Sequence, residues 1–131
     1  MSFAMSQYRA TEFQTASPAK VIVAFYDGAL RFIRLAIQAI EAKDYAKKGV
    51  HLSRAHAIVS ELNATLDESR APELCAELQR LYEFVLDCIT EANMKANADK
   101  LHAAIRVLEK LRSAWATLVD EPTAVRVVGT P

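Results

Sequence analysis

Three histidines, two cysteines and a spread of carboxylates are the side chains of this 131-residue chain whose chemistry could reach beyond packing. A di-iron site in a helical bundle needs repeated Glu-x-x-His pairs, because residues three apart share a helix face and can hold one ion between helices. The nearest approximation is Asp99-x-x-His102, and it stands alone. His51 and His56 are five apart and do not share a helical face, so the histidines read as surface or edge residues. Cys75 and Cys88, on one helix, would be separated by a rise of about 20 Å, far beyond disulfide reach. They read as small buried hydrophobes in a reducing compartment. There is no Gly-rich phosphate loop, no Cys-x-x-Cys and no nucleophile motif. The sequence therefore offers no catalytic, metal or cofactor site, and an enzyme is not expected.

Bulk composition narrows the class further. Sixteen basic residues balance sixteen acidic ones, which removes the electrostatic footprint of a general nucleic-acid binder or a polybasic membrane protein. No basic residue precedes Arg9 and no long apolar run follows it, so a secretory signal is not expected. Charges interrupt every apolar stretch well before the roughly 20 residues of a membrane span. With 3 glycines and 4 prolines, turn-rich β architectures are disfavoured and long helices favoured. A cytoplasmic protein is expected.

Four helical patterns must carry these residues. The first opens at Ser17-Pro18, an N-cap followed by a proline at the first helical position. Ile22, Phe25, Ala29, Phe32, Ala36 and Ile40 then recur at three- and four-residue steps. The second follows Asp44 with Leu52, Ala55, Val59, Leu62 and Leu66, weakened at its start by Gly49. The third begins near Ala71-Pro72 with Leu74, Leu78, Leu81, Val85, Ile89 and Ala92. The fourth, after Asn97, carries Leu101, Ile105, Leu108, Leu111, Trp115 and Leu118. Short connections at 43–44, 67–71 and 93–97 make sequential helices antiparallel. The expected fold is all-α: an up-down four-helix bundle (17–119) with an N-terminal arm (1–16) and a C-terminal tail (120–131), in a single domain.

The first helix is apolar over too much of its circumference. At about 100° per residue, its apolar residues from Val21 to Ile40 cover an arc of roughly 240°, against the ≳100° that a core-facing helix needs. Only Lys20, Asp27, Arg31, Arg34 and Glu41 are plainly solvent-directed. Phe84 and Leu86 flank the third stripe on opposite sides, and Ile58 sits at the margin of the second. Either the arm, with Phe3, Met5, Tyr8 and Phe13, covers the surplus, or grooves between helices accept apolar segments of another protein. An arm that a partner displaces would combine the two.

Several strings then occur in a distinctive order: Tyr8, Thr15-Ala16-Ser17-Pro18, Phe25-Tyr26-Asp27-Gly28-Ala29 with Arg31-Phe32, and Ala39-Ile40-Glu41. After them come Ser53-Arg54-Ala55-His56-Ala57-Ile58-Val59 with Glu61-Leu62, Leu66-Asp67, Leu81-Tyr82-Glu83-Phe84-Val85, Glu91-Ala92-Asn93 and Ala114-Trp115. From about Tyr8 to Val119 the chain resembles FliS, the flagellin export chaperone family. It departs from the family at Ala71-Pro72-Glu73-Leu74-Cys75 and at Leu86-Asp87-Cys88. The tail from Thr123 to Pro131, with Val125, Val127 and Val128, has no family counterpart.

The resemblance implies a cytoplasmic chaperone without enzymatic activity. It would bind the disordered C-terminal segment of flagellin in hydrophobic grooves, prevent premature polymerisation and deliver its client to the export gate protein FlhA. No cofactor, metal, nucleic acid or membrane insertion is implied; a monomer is expected, with a dimer left open. The alternative is a four-helix module that binds some other amphipathic partner helix. By motif, the partner-binding residues are Tyr8, Tyr26, Arg54, Ile58, Val59, Leu62 and Tyr82. Tyr8 is equally readable as an aromatic plug, and Val59 and Leu62 as core. Arg54 reads as polar rim, and Tyr26 and Tyr82 as rings with a hydroxyl at a groove edge. Ser17, Pro18, Gly28, Glu91, Asn93 and Trp115 are structural by the same reasoning, with Glu91 and Asn93 organising the loop that joins the third and fourth helices and Trp115 in the core. Asp27 would fix the junction between arm and bundle.

Overall fold

A computed structural model describes residues 18–119, and every regular element in that span is a helix. They are α1 (Pro18–Glu41), α2 (Tyr45–Ala64), α3 (Pro72–Lys95) and α4 (Asp99–Ala116). Each helix packs on its neighbours in the order α1, α2, α3, α4 and back to α1, which leaves α1 and α3 facing each other diagonally across the core. This is the antiparallel four-helix bundle expected from the short connections. Ser17, Tyr8 and the rest of the arm, together with the tail from 120, lie outside the described residues.

Local chemistry sets the helix ends. Pro18 is the first residue of α1, where its missing N–H costs nothing. Lys43, at φ 58°, ends the following turn in the left-handed region. Asp44 then caps α2, its carboxylate accepting from the Lys47 N–H at 3.1 Å. Gly49 does not delay the helix: α2 is continuous from Tyr45, pinned by that cap and by Lys48, whose buried Nζ donates to the Asn93 carbonyl at 2.7 Å. α2 ends before Leu66, which packs from the loop instead. α3 runs past Asn93 to Lys95 and stops where Ala96 adopts a left-handed conformation (φ 51°). The Asn97 side chain then accepts from the Asp99 N–H at 2.8 Å and opens α4.

The core corrects the expected seam of α3. Leu74 and Leu81 are not in it, being 48% and 37% exposed. The buried face is Cys75, Leu78, Tyr82, Val85, Cys88, Ile89 and Ala92. Both sets have helical spacing, and the observed one places the Tyr82 hydroxyl against that of Tyr26 on the diagonal helix. Cys75 and Cys88 are buried free thiols, and burial pushes both up from their ordinary pKa. On α1 the expected polar strip of Lys20, Asp27, Arg31, Arg34 and Glu41 is solvent-exposed. Its apolar surplus is largely buried, while Val23, Phe32, Leu35 and Ile40 stay half-buried.

Candidate functional surfaces

Tyr26 and Tyr82 form the polar centre of the bundle. Their hydroxyls meet at 2.6 Å, from helices on opposite sides of the core, with ring centroids 6.4 Å apart. Both are fully buried, so the expectation of hydroxyls at a groove edge is corrected: each satisfies the other instead of facing solvent or a partner. Burial is the chief reason that Tyr26 holds its proton far above the usual tyrosine range, with the neighbouring Tyr82 adding to it and Trp115 partly offsetting it. Tyr82 is pushed up to about 12, again by burial, against the opposing effect of its bond to Tyr26. Trp115 is buried beside them.

Gly28 brings α1 and α2 together. A Cβ added there would stand 3.2 Å from the Ile58 Cδ1, so the bare backbone gives Ile58 its seat. Ile58 is 7% exposed and Val59 and Leu62 are fully buried; the marginal position read for Ile58 is corrected to an edge of the core sealed against Gly28. Arg54, one turn before Ile58, is exposed. Its guanidinium lies over the Phe32 ring, 5.7 Å from the centroid. Arg31 lies 5.8 Å from the same centroid, and the His51 ring stacks on it at 6.2 Å. The sequence pattern singles out Arg54 and Ile58 but not Phe32, which meets Arg54 across the α1–α2 groove, nor Arg31 beside it. The Arg31-Phe32 pair was visible, but not the register that sets it beside Arg54.

The outer sides of the bundle are held by ion pairs. Asp27 pairs with Arg112 of α4 through both carboxylate oxygens, and Arg34 pairs with Glu109 at 3.0 Å, so Asp27 ties α1 to α4. Its expected role at the arm concerns residues outside those described. Glu91 reaches Lys95 at 2.9 Å and Lys100 at 3.8 Å, spanning the α3–α4 turn. The hydrogen bond from Lys95, with the charge of that ammonium, holds its carboxyl below the usual range. Asn93 contributes its backbone carbonyl to Lys48.

An apolar strip runs along α3 beside these features. Leu74, Leu81 and Phe84 (43% exposed) lie at about 0°, −20° and −80° on the α3 wheel, on the edge that carries Cys88. The ion pairs to α1 mark one side of α4, so Val107, Leu111 and Leu118 on its other side turn toward α3. Leu118, just past the end of α4, is exposed, and Val107 and Leu111 are half-buried. Between α2 and α3 lies a separate depression of ≈ 340 Å³ lined by Leu52, Ser53, His56, Ile89, Thr90, Asn93 and Met94. Among the described residues no group of three His, Cys, Asp or Glu side chains could hold a metal ion, and no helix is long and apolar enough to cross a membrane.

Comparison with known proteins points to one family. Residues 1–122 match the family model for flagellar protein FliS. The flagellar secretion chaperone FliS of Bacillus subtilis is 35% identical over 108 residues, 82% of this chain and 80% of the relative. That of Campylobacter jejuni is 30% identical over 125 residues, 95% of this chain and 98% of the relative. FliSB of Pseudomonas aeruginosa is 29% identical over 116 residues, covering 86% and 92%. A helical bundle with apolar strips left outside its core, matched to these relatives over nearly its whole length, belongs to the FliS family of flagellar secretion chaperones.

Proposed function

We propose that this protein binds the C-terminal segment of flagellin and keeps it from polymerising until export. Its family supports a role in flagellar export, and the α3–α4 strip is the observation that carries the mode of binding. Leu74, Leu81 and Phe84 stand outside the core on a helix whose inward face is already complete. An amphipathic segment that lays its apolar face there removes from water the surface that would otherwise drive filament contacts. The ordering of a disordered client consumes part of the binding energy, so the complex stays releasable without chemistry. No step calls for a catalytic residue.

The same reading gives Tyr8 and the arm a part in client binding. It keeps the chain as one domain acting in the cytoplasm as a monomer, and has the loaded complex pass to FlhA. Arg54 and Ile58 sit at a second groove, α1–α2. Tyr26, Tyr82, Val59 and Leu62 contribute by holding the helices that frame both surfaces. The direct test is titration of the Phe84→Glu variant with a peptide from the C-terminus of flagellin of the same organism. The affinity is expected to fall about tenfold or more, as for loss of an aromatic anchor, with helicity unchanged. Unchanged affinity would remove the α3–α4 strip from the binding surface.

A further inference from the structure

The α1–α2 face combines charge and apolar surface in a way that core packing does not explain. Two guanidiniums, Arg31 and Arg54, come within about 6 Å of the centre of one half-buried ring, Phe32, from different helices. His51 stacks on that ring, and its Nδ1 is buried with no hydrogen-bond partner among the described residues. Neither arginine has a carboxylate partner among the described residues. Asp27, one helical turn before Arg31, is engaged by Arg112 instead. Two like charges beside one ring repel each other, and an anion near them would relieve that repulsion. Leu35, a turn beyond Arg31 and half-buried, extends the patch as apolar surface.

We propose that this face is a docking site for a partner-protein segment that carries a carboxylate next to apolar side chains. The carboxylate sits between Arg31 and Arg54, and its apolar neighbours lie along Leu35 and the edge of Phe32. Charge complementarity selects that occupant: the two exposed side chains set against the ring, Arg31 and Arg54, are cations, so a neutral apolar helix would leave them uncompensated. The inference is independent of the identity of the client and of the α3–α4 strip.

The test uses the full chain and two short synthetic amphipathic helical peptides. One has leucines on one face flanked by glutamates; the other has glutamines in place of the glutamates. Anisotropy titrations are run at low and at physiological ionic strength, with 4-fluorophenylalanine at position 32 as a reporter. The glutamate peptide is expected to bind about tenfold tighter, to lose part of that advantage as salt screens it, and to shift the fluorine resonance. Arg54→Gln and Arg31→Gln, both at exposed positions, should each erase most of the preference without changing helicity. Equal binding of the two peptides, absence of saturable binding, or a preference that survives the double substitution would overturn the proposal. Sedimentation of the free protein provides a separate check. A dimer that Arg54→Gln dissolves would make a second copy of this chain the occupant and overturn the assignment to a partner.

Discussion

At the scale of single residues, the strongest commitments are a hydroxyl pair and a missing Cβ. Tyr82→Phe leaves the Tyr26 hydroxyl buried without its 2.6 Å partner. It should cost about 1–3 kcal/mol in urea unfolding, and the double Phe variant should lie closer to wild type because neither hydroxyl is then stranded. The pair also sets an alkaline limit. In the unfolded chain tyrosine ionises near 10.0, whereas folded Tyr82 keeps its proton to about 12 and Tyr26 beyond that. Across that window the unfolded state binds fewer protons than the folded one, so stability falls as pH rises; below it the contribution is constant. Melting temperatures of wild type should fall more steeply above pH 10 than those of the double Phe variant. Parallel curves would mean that the hydroxyls are not desolvated. At Gly28, alanine gains about 1 kcal/mol of helix propensity but meets the Ile58 Cδ1 at 3.2 Å. That atom is the free end of a side chain and can swing aside. Gly28→Ala should therefore melt at or slightly above wild type, while Gly28→Leu, which adds three further carbons beyond a Cβ already tight against Ile58, should melt well below. A Gly28→Leu variant as stable as wild type would show that the helices are not in close approach there.

At the scale of elements, the ends of the helices were legible because they depend on local chemistry. Pro18, Asp44, Pro72 and Asn97 act within a turn of where they stand in sequence. The rotation of α3 was not legible, because Leu74-Leu78-Leu81-Val85 and Cys75-Leu78-Tyr82-Val85 both satisfy helical spacing. Leucine outranks cysteine and tyrosine in apolarity, so the sequence favours the first. The fold chooses the second because Tyr82 finds Tyr26 across the diagonal, a contact separated by 56 residues. The same limit applies to the candidate surfaces. Arg54 and Ile58 were legible from their motif, whereas the meeting of Arg54 with Phe32 needs the α1–α2 register. Lys48 shows how an element with a weak start is secured: Gly49 follows it, yet its Nζ ties the first turn of α2 to the last turns of α3. Lys48→Met should retain the stem's packing, lose a charged hydrogen bond, and lower stability by about 1.5–3 kcal/mol in urea unfolding. Wild-type stability in that variant would show the bond to be incidental.

At the scale of the whole molecule, the bundle completes its core and still leaves apolar side chains outside it. Leu74, Leu81, Phe84 and Leu118 stay exposed beside α4, and Phe32 stays half-buried under two arginines. A protein that only had to fold would gain by turning such positions polar, whereas a chaperone that must hold an apolar segment and later release it has use for them. The burial of Ile58 also separates two effects that a surface position would not. Ile58→Asp places a carboxylate against the Gly28 backbone, so it should lower stability together with client affinity, whereas Leu81→Asp, on the exposed strip, should lower affinity alone. The central claim is that the exposed α3–α4 strip takes up the C-terminal segment of flagellin. Calorimetric titration of the folded full-length protein with that peptide, from the same organism, tests it most directly. One-to-one binding with a negative heat-capacity change is the predicted result, since burial of apolar surface carries that signature. No heat and no binding, with circular dichroism showing the bundle intact, would contradict it.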